Sequence, residues 1–193
     1  RGLGDVYKRQ GSCSAGITSS VIGSNTITLN ALSEGTYSDC TIIVTDPFGN
    51  VSDTLTLTTF EIDTTSPTVS EVTVVTNPTN DTTPNVTFSS SEAGTVSYGG
   101  SCSSSTTSVT SGNNTVALKG SSTSNLTDNT TYTDCTVTIT DEAGNVSSSI
   151  TLTEFTVDTT ASTLVEVTAV TTPTNDTTPD YSFSSSQTGT ITY

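Results

Sequence analysis

The chain has 193 residues, with 19 acidic side chains against 4 basic ones, a net charge of −15, and no His, Met or Trp. The missing histidine excludes Ser-His-Asp and Cys-His catalysis and any imidazole metal ligand. Ser and Thr number 31 and 47, about 40% of the chain, and this polar, β-favouring composition excludes a helical bundle. The acidic surplus makes nucleic acid and anionic membranes poor partners, because both carry the same sign of charge.

The first ten residues, RGLGDVYKRQ, differ in composition from the rest and hold three of the four basic residues. They closely resemble the translation of a transposase adapter used in sequencing-library preparation, which ends Asp-Val-Tyr-Lys-Arg-Gln. We predict that residues 1–10 derive from such an adapter and leave them out of the fold prediction. The alternative is a native basic arm. Residues 11–193 then carry one Lys against 18 acids, a net charge of −17.

A repeat of about 95 residues organises residues 11–193. Residues 68–98 and 163–193 are identical at 20 of 31 positions, with an offset of 95. A Gly-Ser-Cys motif recurs with an offset of 89, so the middle copy has six additional residues, which predicts an exposed loop near 120–129. We therefore expect the back part of one unit at 11–65 (the first unit), a complete unit at 66–160 (the middle unit), the front part of a third at 161–193 (the last unit), and a longer parent protein.

Short segments of alternating apolar residues in the middle unit are typical of a β-sandwich. The seven predicted strands are A near 69–76, B with Val86 and Phe88, C with Val96 and Tyr98, a weak strand near 106–110, E with Val116 and Leu118, F with Cys135, Val137 and Ile139, and G over 146–157. In strand G the apolar parity slips between Leu152 and Phe155, which predicts a β-bulge near Thr153.

Two motifs recur in the units. DPFGNVS at 46–52 matches DEAGNVS at 141–147, and FEIDTTSP at 60–67 matches FTVDTT at 155–160. With the strand order and the repeat period, these motifs resemble the bacterial immunoglobulin-like repeats of large secreted and surface-anchored adhesins, from Gly11 onward. The resemblance implies an all-β chain of tandem immunoglobulin-like β-sandwiches. One departure is Tyr132, which stands three positions before Cys135, whereas a tyrosine corner has the Tyr two before.

The resemblance also implies a function. It implies a non-catalytic stalk module of a bacterial surface adhesin, extracellular or at the cell surface, which contacts neighbouring repeats and projects a binding domain from the cell. The alternatives are a module that binds a host or environmental glycan or protein, and a spacer of a secreted enzyme. No enzyme activity is expected, since the carboxylates lie on turns and linkers without an apolar cleft. No apolar run approaches membrane-spanning length, so no membrane insertion is expected in this segment.

Four cysteines stand in two copies of one pattern. In an immunoglobulin-like sandwich the end of strand C lies beside the start of strand F, which predicts the disulfides Cys13–Cys40 and Cys102–Cys135, each within one sheet. A metal site and free thiols are the alternatives. Disulfides would indicate an oxidising compartment, outside the cell or on its surface.

Ca²⁺ is the one cofactor that the sequence suggests. The candidate ligands are Asp46, Asn50, Asp63, Asp141, Asn145 and Asp158. They offer the oxygen atoms that Ca²⁺ prefers, and in the adhesin repeats that the chain resembles, calcium at the junctions stiffens the array. The alternative is plain turn chemistry, in which Asp bonds to the backbone and Gly supplies a positive φ. We expect Asp141 and Asp158 to lie at different ends of the middle unit.

The longer loop at 120–129 is a second candidate site. Its residues Gly120, Ser121, Asn125, Asp128 and Asn129 are the candidates for recognising a glycan or a protein.

The first and last units are expected to be incomplete sandwiches. The first lacks strands A to C and the last lacks everything after C, so both should expose apolar faces and unpaired strand edges. We predict that only the middle unit is stable by itself and that the chain oligomerises or aggregates.

Overall fold

The computed structural model describes residues 6–16, 19–122 and 124–193, with the backbone alone for residues 6–10. These residues form strands, turns and bends and contain no helix, so the predicted all-β class is confirmed. Nothing in the described ranges is a helix of the length and apolar character needed to cross a membrane.

Five short strands precede residue 66 in the described part of the chain. They are β1 (Val6–Gln10), β2 (Gly35–Tyr37), β3 (Thr41–Thr45), β4 (Leu55–Thr56) and β5 (Phe60–Ile62), arranged in antiparallel sheets β1-β3-β4 and β2-β5. The adapter-like stretch thus contributes β1, because a backbone edge such as that of β3 accepts any extended segment that matches its hydrogen bonds. Arg1–Asp5 lie outside the described residues.

The described residues of the middle unit form eleven strands. They are β6 (Val69–Thr73), β7 (Asn85–Ser90), β8 (Gly94–Gly99), β9 (Cys102–Ser103), β10 (Ser108–Val109), β11 (Gly112–Ala117), β12 (Lys119–Gly120), β13 (Thr130–Tyr132), β14 (Thr136–Thr140), β15 (Ile150–Thr151) and β16 (Phe155–Val157). The main sheets are β11-β7-β6 and β10-β8-β14-β15, with the pairs β12-β9 and β13-β16 beside them. The count exceeds the predicted seven because strands F and G each consist of two pieces and because β9 and β12 form a further short pair.

Two strands lie in the last unit, β17 (Leu164–Thr168) and β18 (Ser182–Ser185). They pair in the register of β6 with β7, including the same irregularity: Glu166 lies opposite Phe183 as Glu71 lies opposite Phe88. The matching sequences therefore form the same hairpin.

The two main sheets of the middle unit share one hydrophobic core, an arrangement consistent with a β-sandwich. Every second residue of β7 and of β14 is buried. Val86 and Phe88 from one sheet and Val137 and Ile139 from the other are at most 1% exposed. The predicted inward face of these strands is confirmed, because successive side chains of a strand point to opposite faces.

Strand G is interrupted where its apolar parity slips. β15 ends at Thr151 and β16 begins at Phe155, so strand G is interrupted near Thr153. The predicted β-bulge is not found there, because three residues lie between the pairs Thr136–Thr151 and Tyr132–Phe155 on each strand and neither strand has an extra residue. The N–H and the hydroxyl of Thr153 both donate to Glu71 Oε2, at 2.9 and 2.7 Å. A side chain of β6 therefore satisfies a backbone group that the interrupted strand leaves unpaired.

Strand F is also interrupted, directly after Tyr132. The Tyr132 hydroxyl accepts a hydrogen bond from the Thr127 N–H at 2.7 Å, and its ring stacks on Phe155 with centroids 5.3 Å apart. A buried tyrosine bonded to the backbone upstream is the feature of a tyrosine corner.

Both predicted disulfides are present. The Cα atoms are 5.4 Å apart in Cys13–Cys40 and 5.1 Å apart in Cys102–Cys135. Cys102 follows β8 and Cys135 precedes β14, and these strands pair side by side. Cys102 itself is the first residue of β9, which pairs with β12 and not with β14, so the bond joins segments next to the paired strands β8 and β14 and does not lie within their sheet. Disulfides are typical of oxidising compartments.

The first and last units expose apolar side chains, as expected. In the last unit Tyr181 is 55% and Phe183 38% exposed, whereas Phe88, the repeat counterpart of Phe183, is fully buried. Among the described hydrophobic residues of the first unit, Cys13 and Cys40 are the buried ones. The packed core thus belongs to the middle unit.

Candidate functional site at the unit junctions

The two DxxGN turns have the same hydrogen bonds. Asn145 donates from its backbone N–H to Asp141 Oδ1 at 2.8 Å and from Nδ2 to Asp141 Oδ2 at 2.9 Å. Asn50 bonds to Asp46 in the same way, at 2.8 and 2.7 Å. Gly144 has a φ of 96°, in the left-handed region that favours glycine. Both turns are therefore closed by the turn chemistry considered as the alternative to metal binding.

These bonds lower the pKa of both aspartates. Side-chain and backbone hydrogen bonds from Asn50 lower the pKa of Asp46. Burial raises the pKa of Asp141, but the bonds from Asn145 and from the turn backbone together outweigh it, so the net change is a lowered pKa. Both carboxylates remain ionised acceptors at neutral pH, which keeps the turns closed.

Three carboxylates meet where the first unit joins the middle unit. Oxygen atoms of Asp63, Glu92 and Asp141 all lie within 4.8 Å of one another. Asp63 follows β5, Glu92 lies in the turn between β7 and β8, and Asp141 follows β14. Asn145 Nδ2 also donates to the backbone carbonyl of Asp63 at 3.1 Å, which ties the incoming linker to the turn. Carboxylate oxygens in such a group suit a hard cation such as Ca²⁺.

The structure brings together half of the predicted calcium ligands, namely Asp63, Asp141 and Asn145. Asp46 and Asn50 form the turn of the first unit and are not part of this group. Asp158 lies at the other end of the middle unit, as expected, and its Oδ2 accepts a bond from Gln187 Nε2 at 3.0 Å. Gln187 is the repeat counterpart of Glu92, so an amide stands at the second junction where the first has a carboxylate.

Glu92 is a member of this group that the sequence did not single out. It stands between strands B and C without a motif around it. The fold could have indicated it, because the B–C loop, which holds Glu92, and the F–G loop, which holds Asp141, lie at the same end of an immunoglobulin-like sandwich. An acid in the first loop can therefore meet an acid in the second.

The predicted binding loop at 120–129 is fastened to the middle unit. Leu126 is buried in the core, and its N–H donates to the Thr82 carbonyl at 2.9 Å. Asn125 Nδ2 donates to Thr82 Oγ1 at 3.0 Å. A cavity of about 270 Å³ beside the loop is lined in part by Gly120, Ser121, Ser124 and Asn125.

The end of this loop binds the linker that leaves the middle unit. Asp128 Oδ1 accepts the Thr159 N–H at 2.6 Å, and Asp128 Oδ2 accepts the Thr160 hydroxyl at 2.9 Å. Asn129 Nδ2 donates to Thr160 Oγ1 at 3.2 Å. The bond from the Thr159 backbone and then that from the Thr160 hydroxyl lower the pKa of Asp128. Two of the five residues predicted to contact a ligand, Asp128 and Asn129, thus contact the linker of the chain itself.

Glu34 makes the corresponding contact in the first unit. Its Oε2 accepts the hydroxyls of Thr65 at 2.7 Å and Thr64 at 3.1 Å, and these two bonds lower its pKa. Thr64 and Thr65 are the repeat counterparts of the two linker threonines of the middle unit. Glu34 corresponds to Asn129 rather than to Asp128, so the two units hold their linkers with acids at neighbouring repeat positions.

Comparison of the chain with protein-family models and with curated proteins found no match. The immunoglobulin-like family therefore stays a prediction from the sequence.

Proposed function

We propose that the chain is a segment of an extracellular stalk of tandem immunoglobulin-like units, of the kind found in bacterial surface adhesins, that holds a binding domain away from the cell. The observation that carries the proposal is that side chains of both adjoining units make hydrogen bonds to the linker at each junction. At the first junction Glu34 of the unit being left holds the linker threonines, and Asn145 of the unit being entered holds Asp63.

The second junction repeats this arrangement with different side chains. Asp128 of the middle unit holds Thr159 and Thr160, and Gln187 of the last unit holds Asp158. A linker bonded on both sides has few orientations available, which favours an extended, stiff array. The disulfides fit an oxidising exterior, and the net charge of −15 opposes adhesion between like units.

Removing the two linker acids tests the proposal. We expect the double variant Glu34→Ala, Asp128→Ala to exchange the amides of linkers 63–66 and 158–161 about tenfold faster, because local opening costs less free energy. Small-angle scattering should show a broader distribution of particle lengths. Glu61→Ala, an exposed acid beside the first linker, is the matched control. Unchanged exchange and length in the double variant would contradict a stalk stiffened by these contacts.

Calcium stiffening of the array remains a prediction, and the three carboxylates of the first junction are the group that could hold the ion. If Ca²⁺ binds there, calorimetry should show a higher melting temperature with Ca²⁺ than with a chelator, since a ligand of the folded state stabilises it. The variant Glu92→Gln places an amide at the first junction, as Gln187 does at the second. It should abolish the difference in melting temperature between Ca²⁺ and chelator. Equal melting temperature and equal length with and without Ca²⁺ would count against calcium.

A further inference from the structure

The beginning and the end of the middle unit lie side by side. Glu71 Oε2 accepts the N–H and the hydroxyl of Thr153, and further along both segments Asn77 Oδ1 accepts the Thr156 N–H at 3.0 Å. The order of these contacts is the same in both segments, so the two segments run in the same direction. We call the contact of residues 71–79 with residues 153–158 the A–G contact.

The A–G contact ends in a parallel β-bridge between Thr79 and Val157. The Thr79 N–H donates to the Thr156 carbonyl, and the Thr79 carbonyl accepts the Asp158 N–H, both at 2.9 Å. The other strand pairs and bridges in the described part of the chain are antiparallel. Five hydrogen bonds thus join the two segments, in a pairing direction that occurs nowhere else among the described residues.

The A–G contact lies between the two junctions. The first linker enters the middle unit where Asp63 lies beside Asp141, and the second linker leaves directly after Asp158. A force that separates the junctions therefore pulls residues 71–79 toward their N-terminal side and residues 153–158 toward their C-terminal side. Since the two segments run in the same direction, this force slides one segment along the other.

Sliding loads the hydrogen bonds of the contact together. Parallel pairing spaces its hydrogen bonds evenly along the strands, so a force directed along the strands is shared among them. Strands that are peeled apart from one end lose their bonds one at a time instead. The second segment has a firm base, because Phe155 and Val157 are fully buried and β16 pairs with β13. The first segment pairs with β7 only as far as Thr73, so beyond that residue its backbone must break the A–G contact before it can move.

We propose that the A–G contact is the load-bearing element of the middle unit and sets the force at which this unit unfolds when its two junctions are pulled apart. The proposal deepens the stalk function and rests on it, since a stalk whose binding domain is attached to a surface is under tension. The disulfide limits the resulting extension, because residues 103–134 lie between Cys102 and Cys135 and cannot be drawn out while the bond is intact.

Single-molecule pulling of the full chain by its two ends tests the proposal. The first and last units should extend at low force, because the packed core belongs to the middle unit. The middle unit should unfold in one abrupt event at higher force. The variant Cys102→Ala, Cys135→Ala identifies this event, which should lengthen by about 110 Å for a sequence separation of 33.

Two double variants at the same positions isolate the effect of the hydrogen bonds. Glu71→Ala, Asn77→Ala removes the acceptors of three of the five bonds. It should lower the unfolding force of the middle unit about twofold, because fewer bonds share the load. Glu71→Gln, Asn77→Asp keeps an oxygen acceptor at both positions and should unfold at the force of the parent chain. The proposal is overturned if the alanine variant unfolds at the parent force, or if both double variants unfold at the same force.

Val109→Ala distinguishes resistance to force from stability. Val109 is buried in the same core but lies on β10, which pairs with β8 and is not part of the A–G contact. Its replacement leaves a cavity and lowers the free energy of unfolding, yet it should leave the unfolding force close to that of the parent chain. A fall in force as large as that of the alanine double variant would show that force follows stability and would overturn the proposal.

The result is separate from the test of the stalk itself. Amide exchange in the variant without Glu34 and Asp128 reports on the junctions, whereas the unfolding force reports on contacts inside the middle unit. Stiff junctions with an unfolding force that is independent of the A–G contact would refute the load-bearing element and leave the stalk in place. Loose junctions would refute the stalk whatever the unfolding force.

Discussion

At the scale of single residues, carboxylates accept hydrogen bonds from backbone N–H groups outside the strand ladders. Glu71 serves the interruption of strand G, Asp141 closes a turn, and Asp128 holds a linker. These three acids are therefore structural acceptors at irregular backbone, where an unsatisfied N–H would cost free energy.

Glu71→Ala should lower the free energy of unfolding of the middle unit by about 1–3 kcal/mol, because Thr153 loses the acceptor of two hydrogen bonds. Urea unfolding followed by near-ultraviolet circular dichroism measures the change. Glu154→Ala, which removes an exposed acid next to Thr153, should leave the midpoint within a few tenths of a kcal/mol. A midpoint for Glu71→Ala equal to that of the control would contradict the assigned role.

Acid should weaken the middle unit through Asp141. Its pKa is lowered in the folded protein, so its contribution to stability is complete above the unfolded value of about 4 and is lost as the pH falls through the folded value. Asp141→Asn should therefore be less stable than the parent chain at pH 7 and lose less stability on acidification. Denaturation midpoints at pH 7 and pH 3 measure both effects. The control is Glu142→Gln, and a pH dependence of Asp141→Asn equal to that of the parent chain would refute the prediction.

At the scale of elements, the disulfide ties Cys102, the first residue of β9, to Cys135, which directly precedes β14. Its position matters because Cys135 is the last residue of the interruption between the two pieces of strand F. The covalent bond thus fixes the point at which the strand continues on the central sheet.

Replacing Cys102 and Cys135 by Ala should destabilise the middle unit by about 3–4 kcal/mol in the chain-entropy account, for a sequence separation of 33. Calorimetry of the full chain measures the shift in melting temperature. The pair Cys13→Ala, Cys40→Ala is the internal control, since that disulfide lies outside the middle-unit core, and should leave the main transition in place. If removing Cys102 and Cys135 shifted the melting temperature of the main transition no more than removing Cys13 and Cys40 does, this assignment would be contradicted.

At the scale of the whole molecule, one packed core stands between two open half-units. The junctions on either side are bonded by side chains of both neighbours. Within the described residues, the buried apolar side chains are concentrated in the middle unit.

Hydrogen exchange of the chain, at a concentration where it is monomeric, should locate the slowest amides in β7, β8 and β14. Amides of the last unit should exchange about a hundredfold faster or more, because exchange there follows local opening of a two-stranded sheet without a buried core. Fragment-resolved mass spectrometry measures the difference. Comparable protection in all three units of the monomer would contradict the single-core description.

Features that depend on neighbouring residues could be predicted from the sequence alone. The alternation of Val86 and Phe88 identified a buried strand face, and the recurring cysteine pattern, read with the family resemblance, gave both disulfides. These predictions succeed because strand periodicity is a local property of the chain. The parity slip in strand G marked the right place but the wrong feature, because both strands are interrupted there and neither has a bulge.

The tertiary structure alone decided which loops meet and which acids serve the backbone. Glu71 and Thr153 are 82 positions apart in the sequence, as are Asp63 and Asn145, and no motif connects either pair. Glu92 lies beside Asp63 and Asp141 at the first junction, and Asp128 contacts the linker. Both contacts arise because the topology sets which turns share an end of the sheets. The physical reason is that alternation specifies which face of a strand is buried, whereas contacts between distant loops arise only once the sheets have packed.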